Sequence, residues 1–271
     1  MPLQVYGIDF SGARDAGNKI WIATGTMQAN EFCIENCFPA AELPGAVAAR
    51  DQCLTALRRF IGDLRNCVVG LDFPFGLPGK LVPDDTWTSF VSGFKDHYPS
   101  PEEFRSSCIV KTHGKEPRRQ TDEGSRTPFS PLNLRIYRQT YFGIGELLSP
   151  LVKGGGACVL PMQKRVETLP WLIEVCPAST LKQCGLHRPP YAPYKGTTEE
   201  NRSARECILD VLEREHTVQT PPRLKARVLD NQGGDALDAV LAAYATLRAV
   251  RTRFTLSENC ADYLVEGYLF A

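Results

Sequence analysis

Residues 67–79 read CVVGLDFPFGLPG. The run Cys67–Asp72 is short and nearly all apolar, the pattern of a strand buried on both faces of a sheet rather than one with a wet face. It ends in an aspartate, and the stiff Pro- and Gly-rich turn FPFGLPG stops it. An acid closing an apolar strand is informative, because ligands of α/β sheets gather outside the carboxyl ends of the strands. Before this run, Leu54, Leu57, Ile61 and Leu64 recur at spacings of three and four, one face of a helix over Ala48–Leu64. Before that helix, Gln4–Asp9 alternates and also ends in an aspartate, Lys19–Gly25 reads as a second strand and Glu31–Asn36 as a third. Turn signals at Ser11-Gly12 and Ala16-Gly17-Asn18 and the short spacings predict an antiparallel meander.

Toward the C-terminus the pattern is interrupted and then resumes. Residues 80–169 are rich in Pro, Ser, Arg and Gly and read as an irregular helical and loop insertion, with helices over Asp84–Phe94 and Ser130–Leu148. His113–Thr127 (HGKEPRRQTDEGSRT) has no apolar period and reads as a loop. Trp171–Val175 (WLIEV) is another apolar strand, carrying a glutamate and closed by Cys176-Pro177. Arg188–Thr198 is a Pro/Tyr-rich loop and Ser203–Glu215 a charged helix. A last helix spans Gly233–Arg251, with Leu237, Val240, Leu241, Tyr244 and Leu247 as its apolar face. The tail Asn259–Ala271 is apolar enough to pack, as a final strand or a lid. These elements predict one α/β domain over residues 1–271, with an antiparallel three-strand meander joined to parallel strands and flanked by helices.

The composition bounds the function. The chain has 271 residues, 43% hydrophobic and 23% charged, with 31 basic side chains against 31 acidic ones. That balance excludes a generally basic nucleic-acid coat and leaves room for a local basic groove. Ten cysteines form no CxxC pair, and the four histidines stand at no zinc spacing. Free thiols in a reducing compartment are the better reading. With no leader-like N-terminus and no long apolar run, the expectation is a cytoplasmic protein without a membrane partner.

Five acids fall at element ends. Asp9 and Asp72 close strands, Glu174 lies near the end of WLIEV, and Asp235 and Asp238 sit in the first turn of the last helix, three apart and on one side. A buried carboxylate costs several kcal/mol unless it is paired or metal-bound. Shared cations explain acids placed in apolar runs economically, and hard oxygen ligands without His or Cys favour Mg²⁺ or Mn²⁺. Simpler roles exist for each acid alone. Asp235 after Gly-Gly suits a helix cap. Asp238 suits the helix dipole. Asp72 suits a turn, and Glu174 suits a partner arginine. The conjunction favours one site holding Asp9, Asp72, Glu174, Asp235 and Asp238, with metal on Asp9, Asp72, Asp235 and Asp238.

The order GIDFSG, GLDFPFGLP, IEVCPAST and GGDALDAVLAAYA resembles a family of predicted nucleases, domain-of-unknown-function family four hundred and twenty-nine, in the ribonuclease H-like superfamily. The resemblance runs roughly from Val5 to Tyr268. It implies a ribonuclease H-like mixed sheet: a three-stranded antiparallel meander, a helix, then parallel strands and a final helix. It also implies that Asp9 matches the metal-bridging acid of the first strand and Asp72 the acid ending the fourth. Glu174 matches the family's fifth-strand glutamate, and Asp235 and Asp238 the paired acids of the last helix. Cys176 departs from the family pattern, which has a bulkier or polar residue there.

The resemblance implies a two-metal nuclease that hydrolyses phosphodiester bonds in nucleic acid, DNA or RNA. Arg118, Arg119, Arg126, Arg135 and Arg138 of the insertion are candidates to bind phosphate, although a solvated surface loop explains the same stretch. Tyr137, Tyr141 and Phe142 are candidates to stack a base or to fill core. Two rivals remain. One is a phosphotransferase or ATPase of the sugar-kinase and actin type, for which GIDFSGA would be a phosphate loop. The other is a non-catalytic nucleic-acid or nucleotide binding protein on the same fold.

Overall fold

The computed structural model describes residues 3–28, 31–256 and 260–271. Strands β1 (Gln4–Asp9), β2 (Trp21–Gln28) and β3 (Glu31–Pro39) pair antiparallel in sequence order. The meander is therefore present, but β2 begins two residues later than the pattern suggests. Ala16–Lys19 is instead a single helical turn, α1. Helix α2 (Arg50–Asp63) then returns the chain to β4 (Cys67–Asp72), which lies parallel to β1 with Asp9 opposite Asp72.

After β4, helices α3 (Trp87–His97), α4 (Pro101–Lys111), α5 (Gln120–Gly124) and α6 (Tyr137–Phe142) follow. A π-helical stretch over Gly143–Leu148 leads into α7 (Ser149–Lys153). The two-residue β5 (Cys158–Val159) and then β6 (Trp171–Glu174) extend the parallel side of the sheet, with Leu71 opposite Glu174. The remaining elements are α8 (Pro177–Gln183), α9 (Glu199–His216), β7 (Val218–Gln219), α10 (Pro222–Asp230), α11 (Asp235–Arg251) and α12 (Cys260–Glu266). The result is a seven-stranded mixed sheet in the order β5-β6-β4-β1-β2-β3-β7 with helices on both faces.

Alternation along β1 assigns the faces. Tyr6 and Ile8 pack into a layer with Leu54 and Leu57 of α2 and Phe90 and Phe94 of α3. Val5 packs on the other side with Leu237 and Val240 of α11 and Leu209 and Leu212 of α9. Gly7, on that second side, lets α11 approach very closely: a Cβ there would lie 1.9 Å from the backbone N of Ala243. This contact seats the start of α11 beside the carboxyl end of β1.

Residues 80–169 are more ordered than their composition suggests. Thr86 caps α3 and Ser100 caps α4 through their side-chain oxygens, and α4 has Pro101 in its first turn. Phe94, Tyr98, Phe104 and Tyr141 form an aromatic cluster with centroids 5.2–6.1 Å apart. The segment thus supplies the second helical layer and much of its core. The C-terminal segment packs as α12, and Leu269 makes a parallel bridge to Glu174; Asn259, where the tail was expected to start, lies outside the described residues. No helix among the described residues is long and apolar enough to cross a membrane.

Candidate functional site

A cleft of about 500 Å³ opens at the carboxyl ends of β1, β4 and β6, and all five acids singled out in the sequence line it. The parallel register sets Asp9 beside Asp72 on adjacent strands. Asp235 and Asp238 reach the same space from the first turn of α11. The cap of α11 is Gly234 at φ +78°, so Asp235 does not cap the helix. Asn231 accepts the Ala236 N–H at 3.1 Å instead.

Two residues absent from the sequence reading complete this wall. The Tyr194 hydroxyl donates to Asp238 Oδ1 at 2.8 Å, and Lys195 Nζ lies 2.5 Å from Asp238 Oδ2. Both come from the Pro/Tyr-rich loop before α9. Arg205 of α9, buried, anchors that loop: its Nη1 donates to the Tyr194 carbonyl at 2.6 Å and the Gly196 carbonyl at 3.2 Å, and its Nε to the Leu229 carbonyl at 2.9 Å. The loop's composition marked it as irregular, but no spacing rule ties Lys195 to an acid 43 residues later.

The acids are crowded. Burial, then Asp238 and Asp72, push the Asp9 carboxyl well above the usual range, with Lys195 opposing. Burial, then Asp238, raise Asp72 to about 8, again against Lys195. Burial also raises Asp235, opposed by Lys195 and Lys19. Asp238 in turn raises the Lys195 ammonium, and burial raises the Tyr194 phenol well above its ordinary value. The cleft is therefore lined by more carboxyl groups than cations, six against Lys19, Arg119, Arg135 and Lys195.

Glu174 is arranged differently. Arg119 Nη1 and Nη2 donate to its two oxygens at 2.8 and 2.5 Å, and the Phe75 N–H adds a bond at 2.8 Å. Arg119 also grips Asp122 through Nε at 3.0 Å and Nη2 at 2.7 Å. Glu174 has thus found the partner arginine that was one of its alternative roles, and its carboxylate braces the cleft rather than standing open in it.

The five candidate phosphate-binding arginines separate. Arg119 is only 1% exposed, and its fork is spent on two carboxylates, so it is not open to a phosphate. Arg135 lines the cleft, its guanidinium 5.4 Å from the Phe129 ring. Arg138 pairs with Glu102 and lies over Tyr137. Arg118 donates to the Pro128 carbonyl, and exposed Arg126 adopts φ +52°; neither lines the cleft. Tyr141 and Phe142 are buried core. The half-buried Phe129 ring lines the cleft instead. The nine cysteines whose side chains are described are all free, and burial followed by Asp72 raises Cys176 beside the cleft to about 12.

Among the described residues, no three or more His, Cys, Asp or Glu side chains are arranged to hold a metal ion as they stand. The Lys195 ammonium occupies the Asp238 side of the cluster instead. No protein-family model matches the chain, and no curated protein or solved structure matches it either.

Proposed function

We propose that this chain is a divalent-metal-dependent nuclease of the ribonuclease H-like class that hydrolyses phosphodiester bonds. One observation carries the reading. Asp9 and Asp72 stand side by side at the ends of two parallel central strands, and Asp235 and Asp238 line the same cleft. The element order is compatible with the one that the family resemblance implies, an antiparallel meander, a helix and parallel strands, with Asp235 and Asp238 on α11 and a further helix, α12, after it.

The donors fit a hard cation. Burial and mutual repulsion hold the Asp9 and Asp72 carboxyls above their ordinary range, which marks a place where added positive charge is favourable. Asp238 already accepts an ammonium there. Asp9, Asp72, Asp235 and Asp238 would hold Mg²⁺ or Mn²⁺ after Lys195 turns away from Asp238. Bound metal would supply activation of water and neutralisation of phosphate charge. The remaining work falls to the chain itself. Lys195, Lys19 and Arg135 offer positive charge to a phosphate in the cleft. The Arg119 fork fixes Glu174 and with it the end of β6. Phe10, Phe73 and Val175 make a wall that limits water.

A phosphotransferase or ATPase reading has one supporting observation, since Ser11 of GIDFSGA lines the same cleft. The deciding experiment is Mn²⁺ calorimetry on the wild type and on Asp9→Asn, followed by phosphodiester and ATP hydrolysis assays. Mn²⁺ binding lost in a folded Asp9→Asn protein, with Mn²⁺-dependent diester hydrolysis, supports the nuclease. ATP turnover without diester hydrolysis favours the phosphotransferase. Equal binding by both proteins, or none by either, removes the chemical basis of both readings and leaves the binding protein.

A further inference from the structure

We infer that the cleft takes a substrate of single-nucleotide size, a small nucleoside phosphodiester or a chain end, and not a polynucleotide tracked along the surface. The inference rests on the nuclease reading and narrows its substrate class. A space of about 500 Å³ falls within the size of small-molecule pockets. Specific duplex binding, by contrast, covers on the order of 1,000–2,500 Å² of protein surface.

Charge points the same way. Proteins that follow a nucleic-acid backbone neutralise several phosphates with available Lys and Arg. Four of the five basic side chains that line the neighbouring groove already have acidic partners. In the neighbouring groove, Lys95 and Arg58 share Glu146, Arg138 holds Glu102, and Arg50 meets Asp51 while its guanidinium lies 3.7 Å from the Phe142 ring centroid. Within the cleft the cations are Lys19, Lys195 and Arg135, beside the acids. That is enough for one or two phosphates.

The cleft also has an apolar part: Pro128, Phe129 and Ile136 line it together with the acids and Lys195. Phe129 is half-buried, with Arg135 over its ring, so ring and guanidinium make a platform on which a base can stack. A phosphate at the acids would leave its nucleoside against this platform. In the reaction, water oxygen bonds to phosphorus, the P–O bond to the leaving alcohol breaks, and a proton from water ends on that alcohol.

The test uses the full chain with Mn²⁺ and compares thymidine 5′-(p-nitrophenyl phosphate), methyl p-nitrophenyl phosphate, a dinucleotide, a 12-nucleotide single strand and a plasmid. The expected result is a preference for the nucleoside ester over the methyl ester, and kcat/KM that changes less than about threefold from dinucleotide to 12-mer. Phe129→Ala should reduce the nucleoside-to-methyl preference about tenfold, and Phe129→Tyr should retain it. A melting curve of each variant controls for folding. Efficiency that climbs with chain length, or preferential cutting of the plasmid, overturns the inference and leaves the nuclease reading intact. Failure to hydrolyse any ester, together with failure to bind Mn²⁺, overturns both.

Discussion

Lys195 Nζ lies 2.5 Å from Asp238 Oδ2, so an ammonium from a surface loop serves as counter-ion to an acid that is only 3% exposed. The same ammonium moderates Asp9, Asp72 and Asp235. A divalent cation entering the cleft must compete with it. Lys195→Met should therefore tighten Mn²⁺ binding about tenfold, roughly 1.4 kcal/mol, and lower the stability of the metal-free protein. Calorimetry and a chelated melting curve measure both effects. Weaker or unchanged Mn²⁺ binding would mean that Lys195 does not compete for the acids.

The crowded carboxyls make a signed prediction about pH. Asp72 is raised to about 8 from an ordinary value of 3.8, and Asp9 is raised as well. Between about pH 4 and 8 the folded chain then binds more protons at these acids than the unfolded chain does, so stability falls as pH rises through that window. In chelator, the melting temperature should climb on acidification from pH 8 to 6, and Asp72→Asn should flatten that slope. Mn²⁺ competes with the same protons, so its affinity should rise with pH over this range. A chelated protein that instead grows more stable from pH 6 to 8 would show that these acids are already ionised.

Arg119 carries a structural load separable from chemistry. It is buried with two carboxylates on its fork, and removing one partner of a buried ion pair leaves the rest uncompensated. Arg119→Met should cost about 3–5 kcal/mol in urea unfolding, and adding Glu174→Gln should restore part of it. A loss below about 1 kcal/mol would show that water reaches these carboxylates and relieves them.

The parts of this molecule written in local pattern were readable from the chain. Cys67–Asp72 is a strand with both faces covered, and the acids at the ends of β1 and β4 converge because their strands are neighbours in register. Helix α4 is hard to read from the chain although Ser100-Pro101-Glu102-Glu103 is a good start signal, since the helix after it has only a weak apolar stripe: Phe104 and Cys108 are its buried residues. Arg119 reads as a phosphate ligand in the sequence because it stands in a basic stretch without an apolar period. Its burial depends on Glu174, 55 residues later, and on Gln120 and Gly79 N–H groups that bind Glu266 near the C-terminus. Lys195 is illegible in the sequence for the same reason: its role exists only after α9 and α11 have packed and Arg205 has fixed its loop.

The geometry of the acids finally depends on how closely α11 lies on the sheet. At Gly7 a Cβ would meet not only the Ala243 N at 1.9 Å but also the Ala239 carbonyl oxygen at 2.3 Å, both backbone atoms of a helix that cannot yield locally. Gly7→Ala must therefore shift α11 bodily. The cost should be about 3 kcal/mol or more, because overpacking against rigid backbone exceeds what side-chain adjustment relieves. Asp9 sits two residues along β1 and Asp238 in the first turn of α11, so the same shift separates them. The variant, studied below its melting temperature, should bind Mn²⁺ more weakly even though every candidate ligand is intact. Wild-type Mn²⁺ affinity in a destabilised Gly7→Ala protein would show that the acids on α11 contribute little to holding the ion, and would confine the site to Asp9 and Asp72.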